Sequence, residues 1–372
     1  MKILMTEQFL PESAYTLELV KEMRGFADVS VFCRRNAGAS LTGVKWIPQF
    51  YENGKKKLPA VRDYFFGLFL LAREIRRGHY DVIHVQTMKD AAFEIPLYLW
   101  TKRNAGILVH TVHNLLPHEA SDKDRERYGK FYNACDLLMV HNRRCMELLK
   151  EEYGISEEKI RIAPHGTYSL VEKSERKRKA GEKTTFLQFG IMRKYKGIDL
   201  LLRAVSLIPR KERTGLRFVI AGARHEKLDS TDYEAMVREL GIEDAVELRF
   251  GHIPDAELKD LFARADICLF PYREIYGSGA LLMAYSYEKP VIASDIPVFL
   301  EETENGRTGL CFQSGDPKAL KEAILKAASW SQEEYDERVR KIRLLTQEKY
   351  NWAYSAGLLL EAYQEIWDRK KC

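Results

Sequence analysis

The sequence predicts an α/β protein made of two successive doubly wound halves, each a parallel sheet wrapped by helices. Three observations carry that prediction. Short β-branched apolar runs alternate with helical patterns along most of the chain. The 372 residues exceed what one hydrophobic core usually holds. A charged run without core periodicity separates two such series. Ligands of such sheets bind outside the strand carboxyl ends, so the two halves are expected to face a central cleft.

In the first half, strands are expected over residues 2–5, 29–32, 82–85, 107–111 and 137–140, with helices between them. A further strand over 160–163 ends in Pro164-His165-Gly166. The charged run 172–179 is the expected linker, which sets the domains at 1–170 and 171–351. The second half then offers strands over 185–189, 217–221, 246–250, 267–270 and 291–293. The last segment, 352–372, is apolar at helical spacing and is expected to pack back on the first domain.

With 45% hydrophobic and 30% charged residues, the composition fits a globular protein and excludes disorder or collagen-like repetition. A net charge of +5 is too small to argue for nucleic acid and is compatible with an anionic substrate, an anionic membrane surface, or neither. Residues 1–5 read as a buried strand, not as a secretion signal, and a cytoplasmic protein is expected. The apolar stretch 65–72 is cut short by Arg73 and Glu74, far below the ~20 residues that span a bilayer. Six cysteines without CxxC or histidine-paired spacing suggest neither a zinc site nor a disulfide framework.

The stretch from Pro271 to Ala284 is the richest in chemistry. A buried strand leads into Gly277, Ser278 and Gly279, which open a helix. Glycines let the backbone approach an anion, and the first amides of a helix, with its dipole, favour negative charge. Gly277, Ser278, Gly279, Ala280 and Leu281 are therefore candidates for a phosphate cradle; an ordinary glycine turn is the competing reading. A second stretch, Phe189 to Asp199, follows the first strand of the second half. Arg193 and Lys196 fall in the loop at that strand's carboxyl end, where a guanidinium and an ammonium suit a diphosphate. A solvated basic loop is the alternative.

These pieces resemble the retaining glycosyltransferases of family 4, which have the GT-B fold of two Rossmann-like domains. The resemblance rests on 189–197, 252–258, 265–272, 277–284, 289–293 and 305–312 in the second half. In the first half it rests on 81–86, 110–119 and 164–166. It implies transfer of a hexose-type sugar from a nucleotide-sugar donor to a glycan, glycolipid or lipid-linked acceptor, in cell-surface polysaccharide or glycoconjugate synthesis. No metal and no cofactor are implied, the nucleotide sugar being a co-substrate. His113, after the apolar run 107–112, is implied to orient and polarise the transferred sugar, with Asn114 and His118 in the same cleft. Gly190, Arg224 and Tyr272 are implied to lie near the nucleotide.

Such enzymes often carry two glutamates, with seven residues between them, that flank the glycine loop. Glu274 is the candidate for the first, next to the donor sugar. The second, which would hold the ribose, is missing: Leu282 or Met283 stands there, depending on the anchor. Glu301 and Glu302 are acids nearby, expected to be solvated surface carboxylates. Asp122-Lys123-Asp124 has the letters of a metal-binding pair, but its polar setting reads as a solvated helix start. Lys55 to Lys57, with Arg62, Phe65, Phe66, Phe69, Arg73, Arg76 and Arg77, allow peripheral contact with an anionic membrane. Burial of those aromatics in their own domain is the favoured expectation. The rival functions are a sugar-nucleotide-binding module without catalysis and an epimerase or phosphorylase of the same architecture.

Overall fold

Parallel strands buried on both faces are mostly apolar, and the alternation of such runs with amphipathic segments builds both sheets of this chain. The computed structural model describes residues 1–10, 15–38, 40–51, 57–102, 106–116, 121–168, 182–224 and 229–371. The expected linker, 172–179, lies outside the described residues. Two units emerge: Met1–His165 with Asn351–Cys372, and Gly166–Tyr350.

The first unit begins with β1 (Lys2–Glu7), α1 (Tyr15–Met23), β2 (Asp28–Arg34), β3 (Val44–Phe50) and α2 (Lys57–Gly78). It continues with β4 (Val82–Val85), α3 (Ala91–Thr101), β5 (Ile107–Thr111), α4 (Asp122–Ala134), β6 (Leu137–Val140), α5 (Arg143–Tyr153) and β7 (Ile160–Ile162). The second unit opens with β8 (Thr184–Phe189), α6 (Ile198–Ser206), α7 (Arg210–Arg213), β9 (Leu216–Gly222), α8 (Tyr233–Glu239) and β10 (Val246–Phe250). There follow α9 (Asp255–Arg264), β11 (Ile267–Phe270), α10 (Gly279–Ser286), β12 (Val291–Ser294), α11 (Pro297–Glu302) and β13 (Gly309–Phe312). Helices α12 (Pro317–Ala328) and α13 (Gln332–Glu348) complete it, and α14 (Trp352–Lys371) returns to the first unit.

The first sheet runs β3-β2-β1-β4-β5-β6-β7, and the second β10-β9-β8-β11-β12-β13, with parallel pairing throughout. In the second sheet, alternate residues serve opposite faces: Phe186, Phe218 and Ile267 join one apolar cluster, Leu187, Val219 and Cys268 the other. In the first unit Ile3, Val29, Val82, Ile107 and Leu137 pack with α1 and with Trp352, Leu359 and Tyr363 of α14. The same face is pinned by His84, whose Nδ1 lies 2.5 Å from the Tyr363 hydroxyl and whose Nε2 lies 2.7 Å from Thr111 Oγ1.

Two strands escaped the sequence reading, β3 and β13, and both are sheet edges. β3 leaves Lys45, Pro48 and Gln49 exposed, and Pro48 is a residue that sheets accept at edges. β13 is a four-residue strand that starts on a glycine. The Asp122-Lys123-Asp124 segment is a helix start: Ser121 and Asp124 form a capping box at α4. No helix among the described residues is long and apolar enough to cross a membrane.

Candidate active site

In the second sheet β8 and β11 are neighbours, and the chain leaves them toward opposite edges through β9 and β12. Their carboxyl ends therefore form the switch point where such sheets bind ligands. The two stretches singled out in the sequence are the loops that follow these strands.

After β8 the chain bends at Gly190 (φ 121°), passes Arg193, and makes a short 3-10 turn over Lys194–Lys196 that ends on Gly197 (φ 66°). Space requires both glycines as firmly as backbone angle does. A Cβ at 190 would stand 2.6 Å from Lys196 Nζ, and one at 197 would stand 2.0 Å from the Pro271 carbonyl oxygen. The turn folds Lys196 inward, to 9% exposure, with its Nζ 5.5 Å from the Tyr272 ring centre. Gln188 Nε2 donates to the Lys196 carbonyl at 2.9 Å and fixes the turn from below.

Burial, followed by the positive charge of Arg193, pulls the Lys196 ammonium down to about 8. Among the described residues, no carboxylate forms an ion pair with it. A buried ammonium beside a guanidinium and without a counter-ion is a site prepared for an anion. Arg193 is half-buried and Glu274 exposed; the charges of both reach the Tyr195 hydroxyl, whose pKa is raised mainly by burial.

The loop after β11 is fastened onto the lysine turn. The Arg273 amide donates to the Tyr195 carbonyl at 2.8 Å. The Arg273 guanidinium spans both Asp199 oxygens at 2.7 and 3.0 Å and donates to the Lys194 carbonyl at 3.0 Å. Helix α10 then starts from the cap Ser278, whose Oγ accepts the Leu281 amide at 3.1 Å. With Leu281 capped and the Leu282 amide bonded to the Ser278 carbonyl, Gly279 and Ala280 are left with amides that lack a partner inside the helix. Gly277 is half-buried, and Leu281 contributes a fully buried side chain to the core.

Of Tyr272, Arg224 and Glu302, the last departs from its expectation. Tyr272 packs edge-on against Phe270 and tilted against Phe299 in the core, while its ring also faces Lys196 Nζ at 5.5 Å. Arg224 is engaged by Glu234 at 3.0 Å and by the Thr231 carbonyl at 2.6 Å, and it covers the Phe250 ring. Glu302 is not a solvated carboxylate: α11 turns it inward to 6% exposure. There its carboxyl accepts the backbone amide of Ser278, and burial pushes it up to about 8. Glu301 pairs with Lys349 at 3.6 Å. Leu282, at one candidate position of the absent second glutamate, is buried.

In the first unit, β1 and β4 form the corresponding switch point. The residues after β1, β4, β5 and β7 line a pocket of about 410 Å³ that includes Gln86, Thr87, Thr111, His113, Asn114 and His165. His113 is half-buried and Asn114 exposed; His118 lies outside the described residues. Burial, then His141 and His165, hold the His113 pKa well below the usual histidine value, so the ring is neutral. His141 Nδ1 lies 3.0 Å from the Ala163 carbonyl and must donate there, which makes its Nε2 an acceptor. His113 Nδ1, 3.2 Å from that Nε2, therefore carries the proton, and its own Nε2 keeps a lone pair. Tyr15 packs edge-on against His113 at 4.7 Å and also against His165. His165 lies in the Pro164-His165-Gly166 stretch noted in the sequence, whereas His141 and Tyr15 were not singled out; His141 follows β6, and the rule that strand carboxyl ends line the crevice points to it. Among the described residues, no group of three His, Cys, Asp or Glu is placed to hold a metal ion.

Comparison with known proteins gives this geometry its class. Anabaena HepE, solved in complex with UDP, superposes with a TM-score of 0.72 at 15% identity, over 98% of this chain and all of that one. By fold, the two units are those of a GT-B glycosyltransferase. The family described as glycosyl transferases group 1 matches residues 171–343, and glycosyltransferase family 4 matches 13–167. The chain belongs to this glycosyltransferase family and is a transferase enzyme. It is 24% identical over 309 residues to a D-inositol 3-phosphate glycosyltransferase of Paenarthrobacter aurescens, covering 77% of this chain and 73% of the relative. It is 25% identical over 199 residues to the mannosylfructose-phosphate synthase of Agrobacterium fabrum, covering 50% of this chain but only 44% of that protein.

Proposed function

We propose that the enzyme moves a hexose-type sugar from a nucleoside-diphosphate sugar to a glycan, glycolipid or lipid-linked acceptor, with retention of anomeric configuration and without a metal. The observation that carries this reading is the buried Lys196 ammonium, short of a counter-ion among the described residues and set beside Arg193 at the switch point. With the open amides of Gly279 and Ala280 on the adjoining loop, it suits a pyrophosphate. The complex of HepE with UDP supports a nucleotide donor.

On this reading the bond from the anomeric carbon to the diphosphate oxygen breaks, and the acceptor oxygen bonds to the same face of that carbon. The acceptor proton passes to the departing phosphate. Arg193, Lys196 and the α10 amides stabilise the charge that grows on the diphosphate. His113 offers its Nε2 lone pair to a sugar hydroxyl, and Glu274 contributes its carboxylate to the donor sugar. The setting is cell-surface polysaccharide or glycoconjugate synthesis, with the enzyme peripheral at the inner face of the membrane where lipid-linked acceptors are met.

The test is a panel of UDP-, GDP- and ADP-sugars offered with and without lipid-linked and oligosaccharide acceptors. Free nucleoside diphosphate should appear only when an acceptor is present, and the new linkage should keep the donor's configuration by NMR. Turnover should withstand a chelator. Inverted product, or activity lost to chelator and restored by magnesium, would overturn the corresponding part of the proposal.

A further inference from the structure

Helix α2 was expected to bury its aromatic residues, yet it leaves Phe65, Phe66 and Phe69 in solvent, the last 61% exposed. They share one face with the exposed Val61, at helical spacing. The neighbouring α3 extends the ridge: Phe93 packs edge-on against Phe65 at 4.9 Å, and Trp100 is 55% exposed. Few proteins expose so many large apolar side chains together without a partner for them.

The exposed charges of α2 around this ridge are basic. Arg62, Arg73, Arg76 and Arg77 are exposed on α2, and Arg76 lies over the Trp100 ring at 5.7 Å. Asp63 is buried and pairs with Arg62 at 3.5 Å, Glu94 is buried, and Glu74 is held by Lys45 at 3.1 Å and Tyr80 at 2.7 Å, which leaves Arg73, Arg76 and Arg77 without an ion pair among the described residues. A polar pocket of about 300 Å³ opens at the arginine end, lined by Gln49, Leu70, Arg73, Glu74 and Arg77. Arg73 and Arg77, one helical turn apart, can grip one phosphate from the same side.

We infer that the Phe66–Phe69 ridge and the Arg73–Arg77 pocket form a docking face for an anionic phospholipid surface, the rings entering the headgroup boundary and the pocket taking a lipid phosphate. Aromatic rings that end in a guanidinium rim suit that boundary, where an apolar layer lies directly under phosphates. A nucleic acid would use the arginines but leave the phenylalanines in water, and a second copy of this chain would meet like charge with like. The inference rests on the reading of a membrane-borne acceptor.

Flotation with vesicles tests it, comparing phosphatidylcholine alone with phosphatidylcholine mixed with phosphatidylglycerol. The full chain should float with the mixed vesicles, roughly tenfold more weakly with the neutral ones, and less as salt rises. The exposed double variants F66S/F69S and R73A/R77A should each lose about tenfold in vesicle binding. UDP and GDP binding in the same preparations should stay as in the parent, which separates failure of the docking face from failure of the transferase reading. No flotation with mixed vesicles, flotation unchanged in both variants, an oligonucleotide bound in preference to vesicles, or a dimer dissolved by F66S/F69S would each overturn the inference.

Discussion

Lys196 Nζ lies 2.6 Å from where a Cβ on Gly190 would stand, so a residue on one side of the loop keeps the cation on the other side in place. Gly190→Ala should therefore displace the ammonium and lower kcat/KM by roughly tenfold or more, since small misplacements of a charged group are costly in a transition state. Thermal unfolding should fall only by the strain of a non-glycine residue at φ 121°, on the order of 1–3 kcal/mol. Parent-like kinetics would show that the ammonium has no part in turnover.

The same ammonium should report itself through pH. Its charged form is lost as pH rises through about 8, and an anionic ligand binds the charged form. Affinity for nucleoside diphosphate, measured by calorimetry, should weaken from pH 7 to pH 9 (about the span of that titration). Lys196→Arg, always charged, should flatten this dependence, whereas Lys196→Ala should lower affinity at every pH.

Glu302 makes the opposite prediction about the fold. Its folded-state pKa is raised to about 8, so between the unfolded value and about 8 the native state holds a proton that the unfolded chain has released. Stability should decline as pH rises through that window and level off above it. Glu302→Gln keeps an acceptor for the Ser278 amide and carries no titratable group; its melting temperature should lose that part of the pH slope. An unchanged slope would assign the effect to other groups.

His113 should contribute no limb near neutral pH, because its ring is neutral well below the usual histidine range. His113→Ala should reduce turnover by about a hundredfold, the scale of a lost polar partner at the reacting sugar. The shape of the pH–rate curve between about pH 6 and 8 should stay the same. A limb near 6.5 that vanishes with the substitution would make this histidine a titrating acid or base.

The buried strands were readable because a strand covered on both faces offers few polar positions to disguise it, as in Ile267–Phe270. β3 was not, since an edge strand tolerates Lys45, Pro48 and Gln49. Arg193 and Lys196 were legible as cations at a strand's carboxyl end, but the burial of one and not the other depends on a 3-10 turn that the letters do not announce. Glu302 was misread because polarity outweighed register. It lies four residues after the buried Val298, on the inward side of a six-residue helix. The phenylalanines of α2 were misread in the other direction, because apolar residues at helical spacing normally mark the inside.

The Thr167 amide donates to the Tyr350 carbonyl at 2.8 Å, so the two ends of the second unit are stitched together while α14 carries the chain back into the first. In genetic terms the second unit is an insertion with adjoining seams. A homologous segment exchanged at those seams would leave both flanking parts of the first unit untouched. Removing α14, by contrast, strips Trp352, Leu359 and Tyr363 from the core of the amino-terminal half, so this late helix guards the first strands of the chain.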